Sequence, residues 1–232
     1  MKNTVKAILF DLDDTLWAID PVVEQAEHIL LEWLRRHTPA VAKDNFIETF
    51  RLRQKRLIAK EPRYSYALWE LRHACLVEAF EEEGIKSAAA DDAMAVFSRA
   101  RNDVQLYDDV IGGLSRLGTR YLIGSISNGA ADLEHIGIAH YFQFSIAASR
   151  FGVPKPEAAI FHAACDALSI HPAQAVYVGD DPENDVAGAM RAGLKTAWMR
   201  RPDLDRRKSL PENVQPDAII HSLADLEKLL MP

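Results

Sequence analysis

Acidic residues follow the first apolar run of the sequence, and their spacing could place two carboxylates in one site. Asp11, Asp13 and Asp14 come directly after the apolar run 5–10, which is typical of a strand buried on both faces of a parallel sheet. In an extended chain, side chains two positions apart point the same way, so Asp11 and Asp13 should converge. Such a pair repels itself unless a cation neutralises it or one member is protonated. The pair predicts a chemical site, and a plain polar turn is the alternative.

A second acidic group follows another apolar run. The segment YVGDDPEND places Asp180 and Asp181 at a predicted strand end and Asp185 at the start of a helix. Carboxylate oxygens gathered from two strand ends suit Mg²⁺, which binds one or two carboxylates and keeps waters or phosphate oxygens. Neither acidic group contains a histidine, which disfavours zinc. The two groups together predict a magnesium site at the carboxyl ends of neighbouring strands.

Two further groups lie between the acidic clusters and could hold an anion. Ser127 and Asn128 end a predicted strand and precede Gly129, so a hydroxyl and backbone N–H groups share one turn. Lys155 stands between two prolines, of which Pro156 begins a predicted helix. A lone serine or lysine of this kind is usually an ordinary surface residue. The prediction depends on the order: acid pair, hydroxyl, lysine and acid cluster each follow a successive predicted strand.

These groups belong to a pattern of strands and helices that is interrupted once. After the first strand, four helical patterns follow with no strand between them, beginning near Asp20, Asp44, Ser65 and Asp91. From Tyr107 onward, strands and helices alternate, which indicates a doubly wound parallel sheet with right-handed crossovers. The sequence therefore predicts an α/β protein in which a four-helix bundle interrupts the sheet domain.

The predicted elements after the insertion are short. Strands are expected at Tyr121–Ser127, Phe142–Ala147, Ala175–Val178, Thr196–Met199 and Ala218–Ile220, and helices at Glu157–Leu168, Asp185–Ala192 and Leu223–Leu230. The segment 200–217 is rich in proline, arginine and aspartate and is predicted to be a surface loop. Its cluster Arg206, Arg207 and Lys208 could bind an anion, but a solvated charged loop is the favoured interpretation.

The bulk composition limits the classes of function. The 232 residues are 48% hydrophobic, which excludes a disordered chain, and they carry 34 acidic against 27 basic side chains for a net charge of −7. An acidic balance argues against a nucleic-acid partner. No apolar run approaches the ~20 residues that span a bilayer, and the first residues lack a signal-peptide pattern, so a cytoplasmic protein is expected. Cys75 and Cys165 have no metal or disulfide spacing and should be buried thiols.

Taken in order, the four motifs resemble those of the haloacid dehalogenase superfamily, whose members are mostly Mg²⁺-dependent phosphatases. The matching segments are DLDDT at 11–15, SN at 127–128, KP at 155–156 and GDDPEND at 179–185. The resemblance covers the whole chain and implies a Rossmann-like core with a cap. Only the long interval between Thr15 and Ser127 can hold a domain, so the helical cap is placed at 17–103 and the core at 1–16 and 104–232.

The resemblance also implies roles for the acid pair. Asp11 would be the nucleophile that forms an aspartyl-phosphate, and Asp13 would protonate the leaving group and then activate water. The implied Mg²⁺ ligands are Asp11, the backbone carbonyl of Asp13, and Asp180. The implied phosphate ligands are Ser127, Asn128 and Lys155. The residues expected to orient these groups are Thr15, Asp181 and Asp185.

Asp13 also separates the branches of the family. The dehalogenases that named it lack an acid two positions after the nucleophile, because halide leaves without a proton. Asp13 therefore favours a small phosphorylated metabolite as the substrate and a phosphatase as the enzyme. A phosphomutase would use the same residues and stays open. A non-catalytic phosphate-binding protein is the remaining alternative, although such a protein would more plausibly have lost one of the motifs.

Substrate choice is expected to depend on residues in or near the cap. Trp17, Arg63 and Trp69 supply aromatic and cationic groups that could stack on a ring or pair with a second anion. Over 141–198 the sequence is similar to bacterial flavin mononucleotide (FMN) phosphatases of this class, which implies FMN or a phosphorylated ribityl precursor of riboflavin as substrate. A sugar phosphate, phosphoglycolate or a nucleotide is the alternative substrate. The sequence leaves a monomer or a homodimer open.

Overall fold

The structure, a computed structural model, describes residues 4–202, 204 and 209–230. In those residues six strands form one parallel sheet. In chain order the strands are β1 (Ala7–Phe10), β2 (Leu122–Ser127), β3 (Phe144–Ala147), β4 (Ala175–Gly179), β5 (Lys195–Met199) and β6 (Ala218–Ile220). Across the sheet the order is β3-β2-β1-β4-β5-β6. This is the doubly wound α/β arrangement that the sequence predicts.

The middle of the sheet explains why the acidic motifs follow apolar runs. Every residue of β1 and β4 is buried, as expected for parallel strands that are covered on both faces. The strand order reverses between these two strands, and ligands of open α/β sheets bind beside such a point. The backbone N–H of Asp11 donates to the carbonyl of Val178 at 2.8 Å, which continues the pairing one residue past β1.

Four helices follow β1 without an intervening strand, as predicted. They are α1 (Asp20–His37), α2 (Phe46–Lys60), α3 (Leu68–Glu82) and α4 (Ala89–Arg101). Their apolar faces bury one shared core, which includes Leu30, Leu34, Phe50, Leu76, Phe80 and Met94. The third helix begins later than predicted because Pro62–Ser65 forms a separate 3-10 turn. No helix in the described part of the chain combines the length and apolarity needed to cross a membrane.

Six further helices follow α4 in the described part of the chain, five of them in the segments that contain the sheet. They are α5 (Val110–Leu117), α6 (Leu133–Ile136), α7 (Ala148–Phe151), α8 (Ala158–Ala167), α9 (Gly188–Arg191) and α10 (Leu223–Leu230). The helices α6 and α7 have four residues each, too few to show a helical period in the sequence. The helix predicted at Asp185–Ala192 begins earlier, as a π-helical turn over Pro182–Ala187 that leads into α9. The cluster Arg206, Arg207 and Lys208 lies outside the described residues.

The chain divides into two compact units. The sheet unit combines Met1–Ala18, Gln105–Gly129 and Gly137–Pro232, and the helical unit combines Ile19–Val104 with Ala130–Ile136. The second piece of the helical unit has no counterpart in the predicted cap boundaries. It joins this unit where the N–H of Asp132 donates to Oδ1 of Asn102 at 2.9 Å. The assignment of the two units as core and cap domains stays a prediction.

The two cysteines are buried and unpaired, as expected. Burial raises the pKa of Cys75 and of Cys165 to about 11 in each case. Both side chains therefore stay as thiols near neutral pH, where the thiol is a poor nucleophile and metal ligand.

The contact between α5 and α10 closes one side of the sheet unit. Gly113 of α5 lies so close to Leu223 that a Cβ atom at position 113 would be 2.6 Å from Cβ of Leu223. On the exposed side of the same contact, the single Nε–H of Arg116 is shared between the two carboxylate oxygens of Glu227, and Nη2 donates to Oε1. The close approach of the helices therefore requires glycine at position 113.

We expect Gly113→Ala to lower the free energy of unfolding by about 1–3 kcal/mol, because the added methyl group has no space. Gly112→Ala is the matched control, since its Cβ would meet only the movable guanidinium of Arg116, at 3.0 Å. Alanine is favoured over glycine in a helix by roughly 0.5–1 kcal/mol, so the control should be neutral or stabilising. Urea unfolding measures both variants, and equal stabilities would contradict the close packing.

Candidate active site

Three carboxylates meet at the carboxyl ends of β1 and β4. Carboxylate oxygens of Asp11, Asp180 and Asp185 all lie within 4.8 Å of one another, and the three residues are buried. Asp11 and Asp180 each follow the last residue of a strand, and Asp185 lies in the π-helical turn. The parallel pairing of β1 with β4 brings the two strand ends together. The structure thus joins the two acidic motifs that the sequence places far apart.

A glycine and a capping aspartate place the Asp185 carboxylate. A Cβ at Gly179 would lie 2.4 Å from Cγ of Asp185, so only glycine leaves space for this carboxylate. The N–H of Asp181 donates to Oδ2 of Asp185 at 2.8 Å. Oδ1 of Asp181 accepts the N–H groups of Glu183 and Asn184 and so caps the turn. Asp181 therefore orients Asp185 through the backbone, and any closer role near a metal stays a prediction.

Lys155 joins the carboxylates from a third segment. Its ammonium donates to Oδ1 of Asp11 at 2.5 Å, to Oδ1 of Asp185 at 2.6 Å and to Oη of Tyr177 at 2.9 Å. An ammonium has three N–H donors, so each of them has an acceptor here. The predicted contact of Lys155 with a phosphate oxygen would replace or share one of these bonds, and it stays a prediction.

The burial of these groups shifts their pKa values strongly. Burial raises the pKa of Asp11 well above its ordinary range, and the neighbouring Asp185 and Asp180 add to this against the opposing charge of Lys155. Burial alone would lower the pKa of Lys155, but the Asp11 and Asp185 carboxylates outweigh it and hold that pKa well above its usual value. Burial also raises the pKa of Tyr177, which stays a phenol. Lys155 therefore stays an ammonium and supplies the positive charge of the cluster.

The donor set fits a hard divalent cation. Three buried carboxylates face one ammonium, so the fully ionised cluster has excess negative charge. All the metal-ligating atoms in it are oxygens, which Mg²⁺ prefers over nitrogen or sulfur. Nε1 of Trp198 donates to the backbone carbonyl of Asp180 at 2.9 Å and fixes that strand end. The arrangement supports a divalent cation site at Asp11 and Asp180, with Asp185 beside it.

Ser127 and Asn128 lie beside the lysine, at the end of β2. The side-chain amide of Asn128 makes two hydrogen bonds to the backbone of Lys155, one to its carbonyl at 3.0 Å and one from its N–H at 2.9 Å. Oγ of Ser127 accepts the N–H of Gly129 at 2.9 Å, and its own hydrogen can still point to an anion. The amide of Asn128 thus positions Lys155, and phosphate binding by either residue stays a prediction.

The loop after β1 has an unusual backbone. Asp14 has φ of 61°, a left-handed conformation that aspartate tolerates better than most residues. The hydroxyl of Thr15 lies 3.5 Å from Oδ2 of Asp11, and the N–H of Thr15 donates to the carbonyl of Leu12 at 3.2 Å. Thr15 is thus hydrogen-bonded within the loop, and its expected role in orienting the site stays a prediction.

The residues predicted to select the substrate fall in different surroundings. Trp17 is fully buried in the sheet unit and donates from Nε1 to Oδ1 of Asp13 at 2.9 Å. Its ring is therefore packed rather than presented for stacking. In the helical unit, Trp69 is exposed and stacks on His73, and Arg63 pairs with Glu61. The roles of all three in substrate selection stay predictions.

Two residues of the site carry no clear signal in the sequence. Tyr177 lies inside an apolar strand, yet its hydroxyl accepts from Lys155 and donates to the carbonyl of Ile126 at 3.0 Å. Arg201, expected in a surface loop, is buried and donates to the carbonyl of Thr15 at 3.0 Å and to both carboxylate oxygens of Asp109. For Tyr177, the available signal is a hydroxyl group within an otherwise apolar strand. No feature of the sequence indicates that Arg201 is buried.

We expect Lys155→Met to lower the free energy of unfolding of the metal-free protein by about 3–5 kcal/mol, because buried carboxylates lose their cation. Without the ammonium, nothing opposes the burial and the neighbouring Asp185 charge that raise the pKa of Asp11 in the folded chain. The stability of the variant should therefore fall as the pH rises above about 4, the pKa of an aspartate in the unfolded chain. Urea unfolding in EDTA measures this.

The double variant Lys155→Met/Asp185→Asn is the control for that measurement. Removing one of the two acids should restore part of the stability and weaken the pH dependence. A loss that is the same at every pH and in both variants would show that lysine packing, and not its charge, is what matters.

Comparison with known proteins places this site in a family. Residues 5–193 match the description of haloacid dehalogenase-like hydrolases. The chain is 29% identical to the 5-amino-6-(5-phospho-D-ribitylamino)uracil phosphatase YigB of Escherichia coli (strain K12), over 97% of this chain and 96% of the relative. It is 31% identical to the glyceraldehyde 3-phosphate phosphatase of Methanopyrus kandleri, over 85% and 84%.

Solved structures agree with this placement. The crystal structure of a 2-haloacid dehalogenase from Pseudomonas syringae pv. Tomato DC3000 has a TM-score of 0.87 and 33% identity to this chain, and covers 97% of each. The resemblance seen in the four motifs is therefore confirmed at the level of fold and sequence. Because the family match runs over residues 5–193 of 232, this chain is a member of the haloacid dehalogenase-like hydrolase family.

Proposed function

We propose that this protein is a phosphomonoesterase that acts on a small phosphorylated metabolite through an aspartyl-phosphate. The main support is one observation: the buried Asp11 carboxylate lies 2.5 Å from the ammonium of Lys155 and within reach of Asp180 and Asp185. Positive charge beside a carboxylate lets it approach an anionic phosphoryl group. The curated relatives named above are phosphatases, which supports the same reaction class.

In the first half of the reaction, an oxygen of Asp11 attacks phosphorus and forms an O–P bond. The bond from phosphorus to the ester oxygen breaks, and its electron pair goes to that oxygen, which takes a proton from Asp13. The hydroxyl of Ser127 and the ammonium of Lys155 would bind the non-bridging oxygens of the phosphoryl group. The products are a free alcohol and phosphorylated Asp11.

In the second half, Asp13 is a carboxylate and takes a proton from water while the water oxygen attacks phosphorus. The bond between Asp11 and phosphorus breaks, its electron pair returns to the carboxylate, and inorganic phosphate leaves. Asp13 thereby regains the proton that the first half consumed. Each residue ends the cycle in its starting state, so no further reactant is needed.

The proposed cofactor is Mg²⁺, held by Asp11, Asp180 and the backbone carbonyl of Asp13, with Asp185 orienting the site. When bound, it would reduce the repulsion between the phosphoryl group and the attacking carboxylate. The oxygen-only donor set and its excess negative charge support this choice. The predicted cytoplasmic location and the monomeric or homodimeric state stay predictions.

Dehalogenation is the competing activity, because one of the similar solved structures is a 2-haloacid dehalogenase. A halide leaves without taking a proton, so a dehalogenase has no use for an acid at the position of Asp13. This chain has that acid, with an indole N–H directed at its carboxylate. Asp13 therefore favours an alkoxide leaving group and a phosphate ester over a haloacid.

We expect Asp11→Asn to reduce the hydrolysis of 4-nitrophenyl phosphate by about a thousandfold or more, because the nucleophile is lost. Asp166→Asn is the matched control, since Asp166 is exposed on α8 of the same unit. Released 4-nitrophenolate gives the rate, and circular dichroism checks the fold. The wild-type activity should disappear in EDTA and return with Mg²⁺. An active Asp11→Asn protein would overturn the mechanism, and metal-independent turnover would overturn the cofactor.

Among substrates, we propose FMN or a phosphorylated ribityl precursor of riboflavin. The support is the similarity to the Escherichia coli relative, which is named for a ribityl phosphate substrate. The glyceraldehyde 3-phosphate phosphatase is similar to this chain to nearly the same degree, at 31% identity against 29%, so glyceraldehyde 3-phosphate is the competing substrate.

We expect the highest kcat/KM for a ribityl phosphate, by about tenfold or more over other monoesters. The panel contains FMN, 5-amino-6-(5-phospho-D-ribitylamino)uracil, phosphoserine, glyceraldehyde 3-phosphate, phosphoglycolate and nucleoside monophosphates, each followed by released phosphate. A stronger preference for any other member would replace the ribityl proposal. Transfer from a bisphosphorylated sugar with little free phosphate would identify a phosphomutase instead.

A further inference from the structure

The indole of Trp17 contacts the carboxylate of Asp13, and the proposed reaction gives this contact no role. Its Nε1 donates to Oδ1 of Asp13 at 2.9 Å, four residues earlier in the chain. The side chain has no exposed surface. A buried indole N–H needs an acceptor, and here that acceptor is the carboxylate of the residue proposed to move protons. The contact therefore links a packed aromatic ring to the reacting loop.

The backbone holds Trp17 firmly within the sheet unit. Its carbonyl accepts the N–H of Asp14 at 2.7 Å, and the residue forms β-bridges with Asp13 and with Leu106. The N–H of Tyr107 donates to the carbonyl of Leu16 at 3.1 Å, which secures the neighbouring position. With its ring buried and its backbone paired on two sides, the indole has little freedom to change direction.

We propose that Trp17 is a positioning residue for proton transfer by Asp13. The inference rests on the proposed function, because it assigns Asp13 the proton. Since Oδ1 accepts the indole N–H, the acid form of Asp13 carries its proton on Oδ2. When the ester bond to phosphorus breaks, the leaving oxygen takes the proton from Oδ2, and Oδ2 takes it back from water in the second half. Trp17 thereby decides which carboxylate oxygen faces the substrate.

This role predicts a dependence on the leaving group that mere packing does not. A phosphate ester with an acidic leaving group, such as 4-nitrophenol, departs without a proton, whereas an aliphatic alcohol needs one. Disordering Asp13 should therefore spare 4-nitrophenyl phosphate and slow an alkyl phosphate. A general loosening of the site would slow both substrates by the same factor.

The experiment measures kcat/KM of the full-length enzyme with Mg²⁺ for 4-nitrophenyl, phenyl and glycerol phosphate. In Trp17→Phe we expect a loss of about ten- to a hundredfold with glycerol phosphate and less than about threefold with 4-nitrophenyl phosphate. Asp13→Ala should show the same trend with a larger loss. The double variant should lose no more than Asp13→Ala alone, because both changes act on one step. Trp33→Phe, the same substitution in α1, is the control.

A second measurement avoids any substitution of Trp17. The protein has four tryptophans, whose indole N–H signals can be followed by nuclear magnetic resonance in the metal-free protein. Asp13→Ala removes the acceptor, so the Trp17 indole signal should move strongly while that of Trp33 stays in place. A Trp17 signal that does not move would overturn the inference even if Trp17→Phe failed to fold.

The outcomes separate the inference from the proposed function. If Asp13→Ala shows the leaving-group trend and Trp17→Phe slows all three esters equally, Trp17 only packs and the inference is wrong, while the phosphatase proposal stands. If Asp13→Ala itself shows no trend, Asp13 is not the acid, and both the mechanism and the inference fall. If the wild type hydrolyses none of the esters, the proposed function itself is wrong.

Discussion

The balance of charge around Lys155 is the constraint on which the rest of the site depends. Asp11, Asp180 and Asp185 lie together in the interior, where unpaired charges are costly. One ammonium with three acceptors offsets part of that cost and binds the Asp11 carboxylate directly. The remaining negative charge makes the same cluster receptive to a divalent cation. The same arrangement of charges therefore governs both the stability of the fold and the proposed chemistry, because its excess negative charge favours the binding of a cation.

Several parts of the fold serve that arrangement. The lysine reaches the cluster because the amide of Asn128 holds its backbone and the hydroxyl of Tyr177 supports its ammonium. Asp185 fits because Gly179 has no side chain. Two of these supports, Tyr177 and Gly179, lie in β4, and the third, Asn128, follows β2. Asn128 and Tyr177 act through hydrogen bonds, and Gly179 leaves the space that the Asp185 carboxylate occupies. A substitution at Asn128, Tyr177 or Gly179 would therefore displace Lys155 or Asp185 before it disturbed the pairing of the strands.

Much of the fold could be read from the sequence because its signals are local. Apolar runs that end in aspartate identify β1 and β4, and four successive helical periods identify the inserted helices. The observed starts of two helices differ from the predicted ones, because a local turn at each start interrupts the helical period. The turn at Pro62–Ser65 delays α3, and the π-helical turn at Pro182–Ala187 begins before the predicted helix because Asp181 caps it. The four-residue helices α6 and α7 have no period to detect, and the sequence does not predict them.

The sequence by itself determined the chemical groups, their order along the chain and the kind of fold that gathers them. It did so because strand ends, turns and helix starts follow from neighbouring residues. Only the tertiary structure decided which partner each group has. Lys155 donates its three hydrogen bonds to Asp11, Asp185 and Tyr177. Trp17 is buried and donates to Asp13, so its ring is not exposed for stacking on a ligand. The physical reason is that burial and hydrogen bonding depend on residues distant in sequence, and their positions exist only once the sheet has formed.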